Sequence, residues 1–307
     1  MRLLKSIAAT ALLLSTLPTF AWGRKGHEMI NKIAAQKLPA DVPAFLRSQK
    51  AIDQMEYQGP EPDRWKYYQG EPELTVAGSP EHFLDMEWAD YAGVPLPRRR
   101  YDYIRALAAA TPQHPDIQLT PDKVGTQPYV VTEVWERLKS AMRDYRALQK
   151  DHRNTEPVEA LIVGYAGWLG HYVADGSQPL HATIKYNGWV GPNPNGYTTD
   201  HKIHAKFEST YVSANIHEKE IADLVPATPL PHGDIFDDYI AYLRHSNSLV
   251  EKTYQLDKAG AFDGAGTPDG RAFTYERIAA GAAELRDLIY FAWTASATPL
   301  PPPKYND

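Results

Sequence analysis

Apolar residues recur at helical spacing in four segments of the chain. The first begins at Met29, and the others cover residues 130–145, 235–243 and 278–289. Spacings of three and four residues place the apolar side chains of each segment on one face of a helix. No convincing run alternates apolar and polar residues, and no internal repeat is apparent. We therefore predict an all-α protein.

Residues 158–173 differ from these segments because they are apolar on nearly every side. Such a helix is typical of the centre of a protein. We predict a central helix, buried all round, whose C-terminal end is deep in the fold. By contrast, we predict irregular structure for residues 56–80, 111–128 and 182–199, and an extended tail for residues 299–307.

The N-terminal segment has the features of a secretory signal peptide. Arg2 and Lys5 precede a short apolar run, and small residues stand at Thr19 and Ala21. We predict that residues 1–21 are removed and that residues 22–307 form a single exported domain, periplasmic or secreted. No later stretch reaches the roughly 20 apolar residues that a membrane helix needs, so we expect no stable membrane insertion.

Composition restricts the chemistry that the chain can perform. The protein has no cysteine, which excludes disulfides, thiolate metal sites and cysteine nucleophiles. A metal ion would have to be held by His, Asp, Glu or main-chain groups. The net charge of −6 gives no general attraction to nucleic acid, so a polyanionic substrate would need bound cations. Nothing in the sequence implies a protein partner.

Three histidines are each followed by a carboxylate four residues later, His171 by Asp175, His204 by Glu208 and His152 by Glu156. We interpret the last pair as a loop coincidence, because Glu156 precedes Pro157. On a helix this spacing puts both side chains on one face, one turn apart, where they can hold one ion. His171 and Asp175 end the predicted central helix and precede His181. A buried carboxylate is costly unless it is paired or bound to metal. The spacing alone leaves two alternatives, a metal site or hydrogen-bonded structural histidines.

Five motifs, taken together and in this order, resemble the single-strand-specific, three-zinc nucleases of the S1/P1 type and the bacterial zinc phospholipases C that share their fold. The resemblance covers essentially the whole chain after residue 21. The motifs are Trp22-Gly23-x-x-Gly26-His27, Asp63 within residues 61–66, His82-Phe83-Leu84-Asp85, His171-x3-Asp175-x5-His181, and His204-x3-Glu208.

This resemblance implies a single helical domain around a buried site for three Zn²⁺ ions. One ion would be held by Asp63, His82, His171 and Asp175. The second would be held by His27, Asp175 and the terminal amine and carbonyl of Trp22, and the third by His181, His204 and Glu208. Asp63 and Lys66 would be catalytic, Phe83 would stack on a nucleobase, and Asp85 would accept hydrogen bonds from it.

The activity implied is that of an endonuclease on single-stranded DNA and RNA. Its products would carry 5′ phosphates, and mononucleotides would also be cleaved by a 3′-nucleotidase activity. We further predict that Trp189, Asn193 and Asn195 shape the substrate groove, because they lie between two ligand motifs.

Three features depart from the pattern of the fungal and plant nucleases. Glu208 stands where those enzymes carry Asp, Lys66 stands where they usually carry Arg, and their disulfides are absent. Glu208 is closer to the phospholipase C version of the motif. The alternatives are therefore a zinc phospholipase C acting on phospholipid headgroups, or a phosphodiesterase of dual specificity. A non-catalytic helical binding protein is a third, distinct class.

Overall fold

The computed structural model describes residues 22–67 and 71–300. These residues fold into a set of helices. Residues 1–21, where the signal peptide is predicted, and residues 301–307 of the predicted tail lie outside the described ranges. The helices are α1 Gly23–Gln36, α2 Gln49–Gln58, α3 Glu61–Tyr67, α4 Pro72–Gly78, α5 Met86–Ala89, α6 Arg100–Ala110, α7 Pro121–Val124, α8 Gln127–Lys150, α9 Glu156–Ser177, α10 Ile203–Ala205, α11 Val212–Asn215, α12 Glu218–Leu224, α13 Ile235–Ser248, α14 Val250–Lys258 and α15 Pro268–Ala295.

The described residues contain no β-strand, and one isolated antiparallel bridge joins Leu84 to Gly125. The all-α prediction is confirmed. The four segments with helical periodicity correspond to α1, α8, α13 and α15. None of the helices in the described ranges combines the length and the apolar character needed to cross a membrane.

Helix α9 lies at the centre and packs against α1, α2, α8 and α15. The apolar core forms two clusters, and both α1 and α9 contribute to each of them. On α1, for example, Ile33 belongs to one cluster and Ala34 to the other. Polar residues on these two helices are therefore held between the two halves of the core.

The central helix is not buried all round, so that prediction is wrong for its N-terminal half. Burial is continuous from Leu169 to Thr183, whereas Leu161 is 52% exposed. Helix α3 places Glu61 and Trp65 beside this outer side but leaves Leu161 exposed. The apolar pattern indicated a helix correctly, but it could not show where neighbouring helices end.

Two of the three segments predicted to be irregular contain short helices. Residues 56–80 include α3 and α4, and residues 111–128 include α7 and the first turn of α8. Proline occupies the first turn of α4, α7 and α8, where its missing N–H costs no helical hydrogen bond. Prolines in these two segments therefore begin helices. Residues 182–199 have no helix, as predicted.

Glycines on α9 allow other elements to approach its backbone closely. A Cβ atom at Gly170 would lie 2.1 Å from Asn31 Oδ1 and 2.6 Å from Leu285 Cδ2. Asn31 donates hydrogen bonds to the carbonyls of Met55 and Gly167, so it cannot easily move away. At Gly164, by contrast, the nearest atom to a new Cβ would be 3.8 Å away.

These two glycines give a matched test of the packing around α9. We expect Gly170→Ala to lower the free energy of unfolding by about 1–3 kcal/mol, because the methyl group overfills a packed site. Gly164→Ala should raise it by up to about 1 kcal/mol, because alanine is the better helix former and the site has room. Urea denaturation of both variants measures the difference, and equal stabilities would contradict the close approach at Gly170.

Candidate metal centre

Eight side chains predicted as metal ligands converge at the C-terminal end of α9. They come from helices, 3₁₀ turns and a π-helical segment that are far apart in the chain. The elements are α1 for His27, α3 for Asp63, the 3₁₀ turn Ser79–His82 for His82, α9 for His171 and Asp175, the 3₁₀ turn Pro179–His181 for His181, α10 for His204 and the π-helix Lys206–Tyr211 for Glu208.

Within the described part of the chain, the side chains form three groups whose donor atoms lie within 4.8 Å of one another. The groups are His27, His171 and Asp175; Asp63, His82 and His171; and His181, His204 and Glu208. His171 belongs to two groups, whereas the sequence predicted Asp175 as the shared ligand. Asp175 also reaches the second group, because its Oδ2 lies 3.1 Å from His82 Nδ1.

The distances between donor atoms suit a small cation better than direct pairing. Tetrahedral nitrogen and oxygen ligands at roughly 2.0–2.1 Å from zinc lie about 3.3 Å apart. Asp175 Oδ1 is 3.4 Å from His27 Nε2, and its Oδ2 is 3.3 Å from His171 Nε2. In the third group, Glu208 Oε2 is 3.0 Å from His204 Nε2 and 3.5 Å from His181 Nε2.

Several of these donor atoms are buried without a hydrogen-bond partner. They include both ring nitrogens of His27, both carboxylate oxygens of Asp63, Asp175 Oδ1, His181 Nε2 and Glu208 Oε1. Unpartnered buried polar atoms cost roughly 1–3 kcal/mol each, so native proteins rarely keep them together. Nitrogen and carboxylate oxygen are donors that zinc accepts. The residues present therefore fit a cluster of zinc ions.

Main-chain carbonyls fix the orientation of three of the histidines. His171 Nδ1 donates to Gly59 O at 2.7 Å, and His181 Nδ1 donates to His82 O at 2.7 Å. His204 Nδ1 donates to Tyr186 O at 3.0 Å. A carbonyl can only accept, so each Nδ1 carries the proton and each Nε2 offers its lone pair to the cluster.

Glu208 is oriented by Gln178, a contact that the sequence did not reveal. Gln178 Nε2 donates to Glu208 Oε2 at 2.9 Å, while Gln178 Oε1 accepts from the main-chain N–H of Leu180. Glu208 lies in the π-helix, and π-helical turns are frequent at functional sites. Lys206 holds this segment to Asp257 and Asp263, at 2.6 and 2.7 Å.

Burial and neighbouring charges shift the pKa values of the ligands in both directions. Burial raises the pKa of Asp63 to about 7. Burial would also raise the pKa of Asp175, but His171 and His181 together hold it well below its usual value. Burial would lower the pKa of His181, yet Asp175 and Glu208 raise it to about 9. Burial and the nearby charge of Lys66 lower the pKa of His82 well below its usual value.

Trp22 lies beside the cluster and is fully buried. Its indole Nε1 donates to Ala174 O at 2.8 Å and to Ser177 Oγ at 2.9 Å, and its ring lies 5.3 Å from that of Phe207. The backbone of Trp22 is left-handed, with φ of 40°. The indole thus fixes the first residue of the predicted mature chain next to Asp175.

A cavity of about 440 Å³ opens beside the second and third groups, and His82, His181 and His204 lie in its wall. Its wall contains the predicted residues Lys66, Phe83 and Asp85. Burial, and then the charge of Glu87, raises the pKa of Asp85 to about 7. The cavity therefore joins the metal ligands to groups suited to binding a substrate.

The irregular segment 182–199 lines the cavity with residues other than those predicted. Tyr186 and Asn187 line the wall, whereas Trp189, Asn193 and Asn195 do not. These three hold the segment together instead: their side chains bond to Pro192 O, to the main chain of Tyr197 and to the side chains of Tyr197 and Glu251. Sequence analysis also missed Ser79, Lys123 and His201 in the wall, because no spacing pattern connects them with the ligands.

Metal uptake should depend on pH, because ligands must lose their protons to bind a cation. With pKa values of about 9 for His181 and about 7 for Asp63, both are wholly or partly protonated at neutral pH before metal binds. We expect zinc binding to release protons, and its apparent affinity to fall as the pH is lowered from 9 to 6. Calorimetric titration in buffers of different ionisation enthalpy measures the release, and a pH-independent affinity would contradict it.

No curated protein matches the chain. A crystal structure of alpha-toxin from an avian strain of Clostridium perfringens is similar at 14% identity and a TM-score of 0.41, covering 92% of this chain and 66% of the toxin chain. This chain thus spans just under two thirds of the length of that toxin. The family model described as S1/P1 nuclease matches residues 22–225, which include every ligand described above, and the chain belongs to this nuclease family.

Proposed function

We propose that the protein is an exported, zinc-dependent endonuclease that cleaves single-stranded DNA and RNA and leaves 5′ phosphates. A 3′-nucleotidase activity on mononucleotides would use the same site. One observation carries the proposal: three groups of ligands converge, and His82, His181 and His204 from two of them line a cavity whose wall also contains Phe83 and Asp85. Family membership supports nuclease activity in general, and the cavity supports the particular substrate.

The eight side chains and the Trp22 main chain would hold three zinc ions. The first ion would be held by Asp63, His82, His171 and Asp175. The second would be held by His27, Asp175 and the main chain of Trp22. The third would be held by His181, His204 and Glu208. Bound zinc supplies a water molecule with a lowered pKa and a clamp for phosphate oxygens, which are the two needs of phosphodiester hydrolysis. The carbonyl-bound histidines keep their Nε2 atoms aimed at the ions throughout.

Lys66 would attract the phosphate group of the substrate. Its positive charge already acts on the cluster, because it lowers the pKa of His82 and opposes the rise at Asp63. An ammonium group is a compact point charge, so it stabilises negative charge on phosphoryl oxygens without the two-pronged geometry of arginine. Lys66 on α3 lines the cavity, where a phosphate beside the cluster would meet it.

Phe83 and Asp85 would bind the nucleobase next to the scissile phosphate. Stacking on an aromatic ring requires a base that is free of its own stack, which favours single strands. When ionised, the Asp85 carboxylate can accept hydrogen bonds from the edge of that base. The main chain holds this residue firmly, since Asp85 N–H donates to Val124 O at 2.8 Å.

Turnover of defined substrates tests this proposal. The zinc-loaded protein should cleave single-stranded DNA and RNA to products with 5′ phosphates, identified by mass spectrometry. Phe83→Ala should raise KM about fivefold or more through loss of base stacking. Tyr101→Ala is the control, because Tyr101 is a 73% exposed aromatic residue on α6. Absence of nucleic-acid cleavage by the wild-type protein would refute the nuclease proposal.

A phospholipase C activity is the second candidate, and exposed aliphatic residues in segments next to wall residues favour it. Helix α4 ends at Gly78, directly before the wall residue Ser79. On α4, which buries none of its residues, Leu74 is 47% and Val76 70% exposed. Val190, in the segment that also contributes Tyr186 to the wall, is 50% exposed. Acyl chains could contact these residues while a headgroup entered the cavity. Release of phosphocholine from phosphatidylcholine, measured beside the nucleic-acid assays, decides between one activity and two.

The proposed role of Trp22 makes removal of the signal peptide a condition for activity. Only a free terminal amine can bind a metal ion, since an amide nitrogen at this position has no available lone pair. The hydrogen bonds from the Trp22 indole to Ala174 and Ser177 do not depend on cleavage of the signal peptide. The uncleaved chain would therefore fold in the same way and lack one ligand.

A protein that keeps Ala21 before Trp22 tests this role. We expect it to lose at least about 90% of the activity of the protein that begins at Trp22, following the 10–100-fold effects typical of altered metal sites. Its circular dichroism should be unchanged, and its zinc content should fall by about one ion per chain. Full activity of the extended protein would contradict the proposed amine ligand.

A further inference from the structure

The outer side of α9 carries an apolar groove that the metal centre does not use. The groove has a volume of about 230 Å³ and lies between α9 and the α2–α3 region. Its wall is formed by Gln58, Glu61, Trp65, Ala160, Leu161, Gly164, Tyr165 and Trp168. The sequence predicted that this side of α9 is buried. Instead, the apolar surface around Leu161 is not covered by any other part of the described chain.

Aromatic rings lie in and beside this groove, and two arginine side chains lie near them. The rings of Trp65 and Trp168 meet at 5.7 Å with an angle of 73°, and the Arg137 guanidinium lies 5.9 Å from the Trp168 ring. Nearby, the guanidinium of Arg64 lies 4.5 Å from the ring of Tyr57, which is 58% exposed. Aromatic rings with neighbouring arginines are the usual surface for unpaired bases, because every base can stack there.

Helix α3 connects the groove to the metal centre. Glu61 and Trp65 line the groove, whereas Asp63 belongs to a ligand group and Lys66 lines the cavity. Consecutive Cα atoms are 3.80 Å apart. The groove at Trp65 and the cavity at Lys66 therefore lie on either side of one short helix, and one polynucleotide strand can reach both.

We propose that this groove binds one or more bases of a single-stranded polynucleotide whose scissile phosphate lies at the metal centre. The inference rests on the proposed nuclease function and adds a second contact with the same substrate, a few nucleotides away. The groove receives the base rather than the phosphate, because Arg64 is already paired with Glu61 and Trp65 Nε1 donates to Glu61 Oε1.

Other occupants fit the groove less well. A bilayer would be met by large aliphatic residues, and Leu161 is the single exposed large aliphatic side chain among the groove residues described. The exposed aliphatic residues beside the cavity, Val76 and Val190, are not part of this wall. A second copy of the chain would place another apolar surface against Glu61, Arg64 and Arg137, the charged side chains at and near the groove.

The test compares long and short substrates in groove variants. Tyr165→Ala and Trp168→Leu each remove a stacking surface, and Trp168→Leu keeps much of the bulk where the indole packs. We expect KM for a 12-nucleotide single-stranded DNA to rise about fivefold or more in each. KM and kcat for a dinucleotide should remain within about twofold of wild type, because a dinucleotide does not reach the groove. Tyr101→Ala is the matched exposed control.

A binding measurement separates failure of this inference from failure of the proposed function. The same oligonucleotide should quench tryptophan fluorescence when it binds. A chelator that removes zinc prevents turnover, so the quenching then reports contact alone, and it should weaken in both groove variants. Equal KM and equal quenching in wild type and variants would overturn the inference even if the enzyme is a nuclease. Two other outcomes in the groove variants, each without loss of oligonucleotide binding, would likewise overturn the inference. A sedimentation coefficient different from that of the wild type would assign the groove to a second copy of the chain. Loss of binding to phosphatidylcholine vesicles would assign it to a membrane.

Discussion

The mutual approach of buried ligand atoms, several of them without a hydrogen-bond partner, is the constraint on which the rest of the structure depends. His27 Nε2 lies 3.4 Å from Asp175 Oδ1, and neither atom has a hydrogen-bond partner. His171 Nε2 lies 3.3 Å from Asp175 Oδ2, and all three side chains are closed to water. The carbonyl of Gly59 holds the proton of His171 on the opposite side of its ring. Such an arrangement is costly unless a cation lies between the donors, so the helices that impose it are organised around metal binding.

The same constraint explains why short and irregular elements surround the long helices. Helices α1 and α9 supply three of the ligands from rigid backbone, but the others come from two 3₁₀ turns, a π-helical segment and short helices. Each of these is tied to its neighbours by main-chain or buried side-chain bonds, as Gln178 is to Glu208. Ligands can therefore be brought in from several directions with little loss of precision, which a metal centre requires.

The sequence predicts the ligands better than it predicts their surroundings. The eight side chains that the motif resemblance predicts as ligands converge in the fold. His171 and Asp175 lie one helical turn apart because their spacing requires it on any helix. Burial of the whole central helix was overestimated at Leu161, since periodicity describes a helix but not the lengths of those that cover it. The wall residues Ser79, Lys123 and His201 were missed because tertiary folding alone brings them together. Trp189, Asn193 and Asn195 were assigned to the substrate groove from their position between ligand motifs, although their side chains bond to Pro192, Tyr197 and Glu251 instead.

The membership of His171 in two ligand groups has a consequence for how this enzyme can diverge. A substitution at His171, or at Asp175 beside it, alters two groups at once, so changes there are not independent. The third group shares no residue with the other two and stands on its own segment of the chain. Heritable variation that preserves activity should therefore accumulate in that group and in the walls of the cavity. Glu208, where related nucleases carry Asp, is the kind of change that this separation permits.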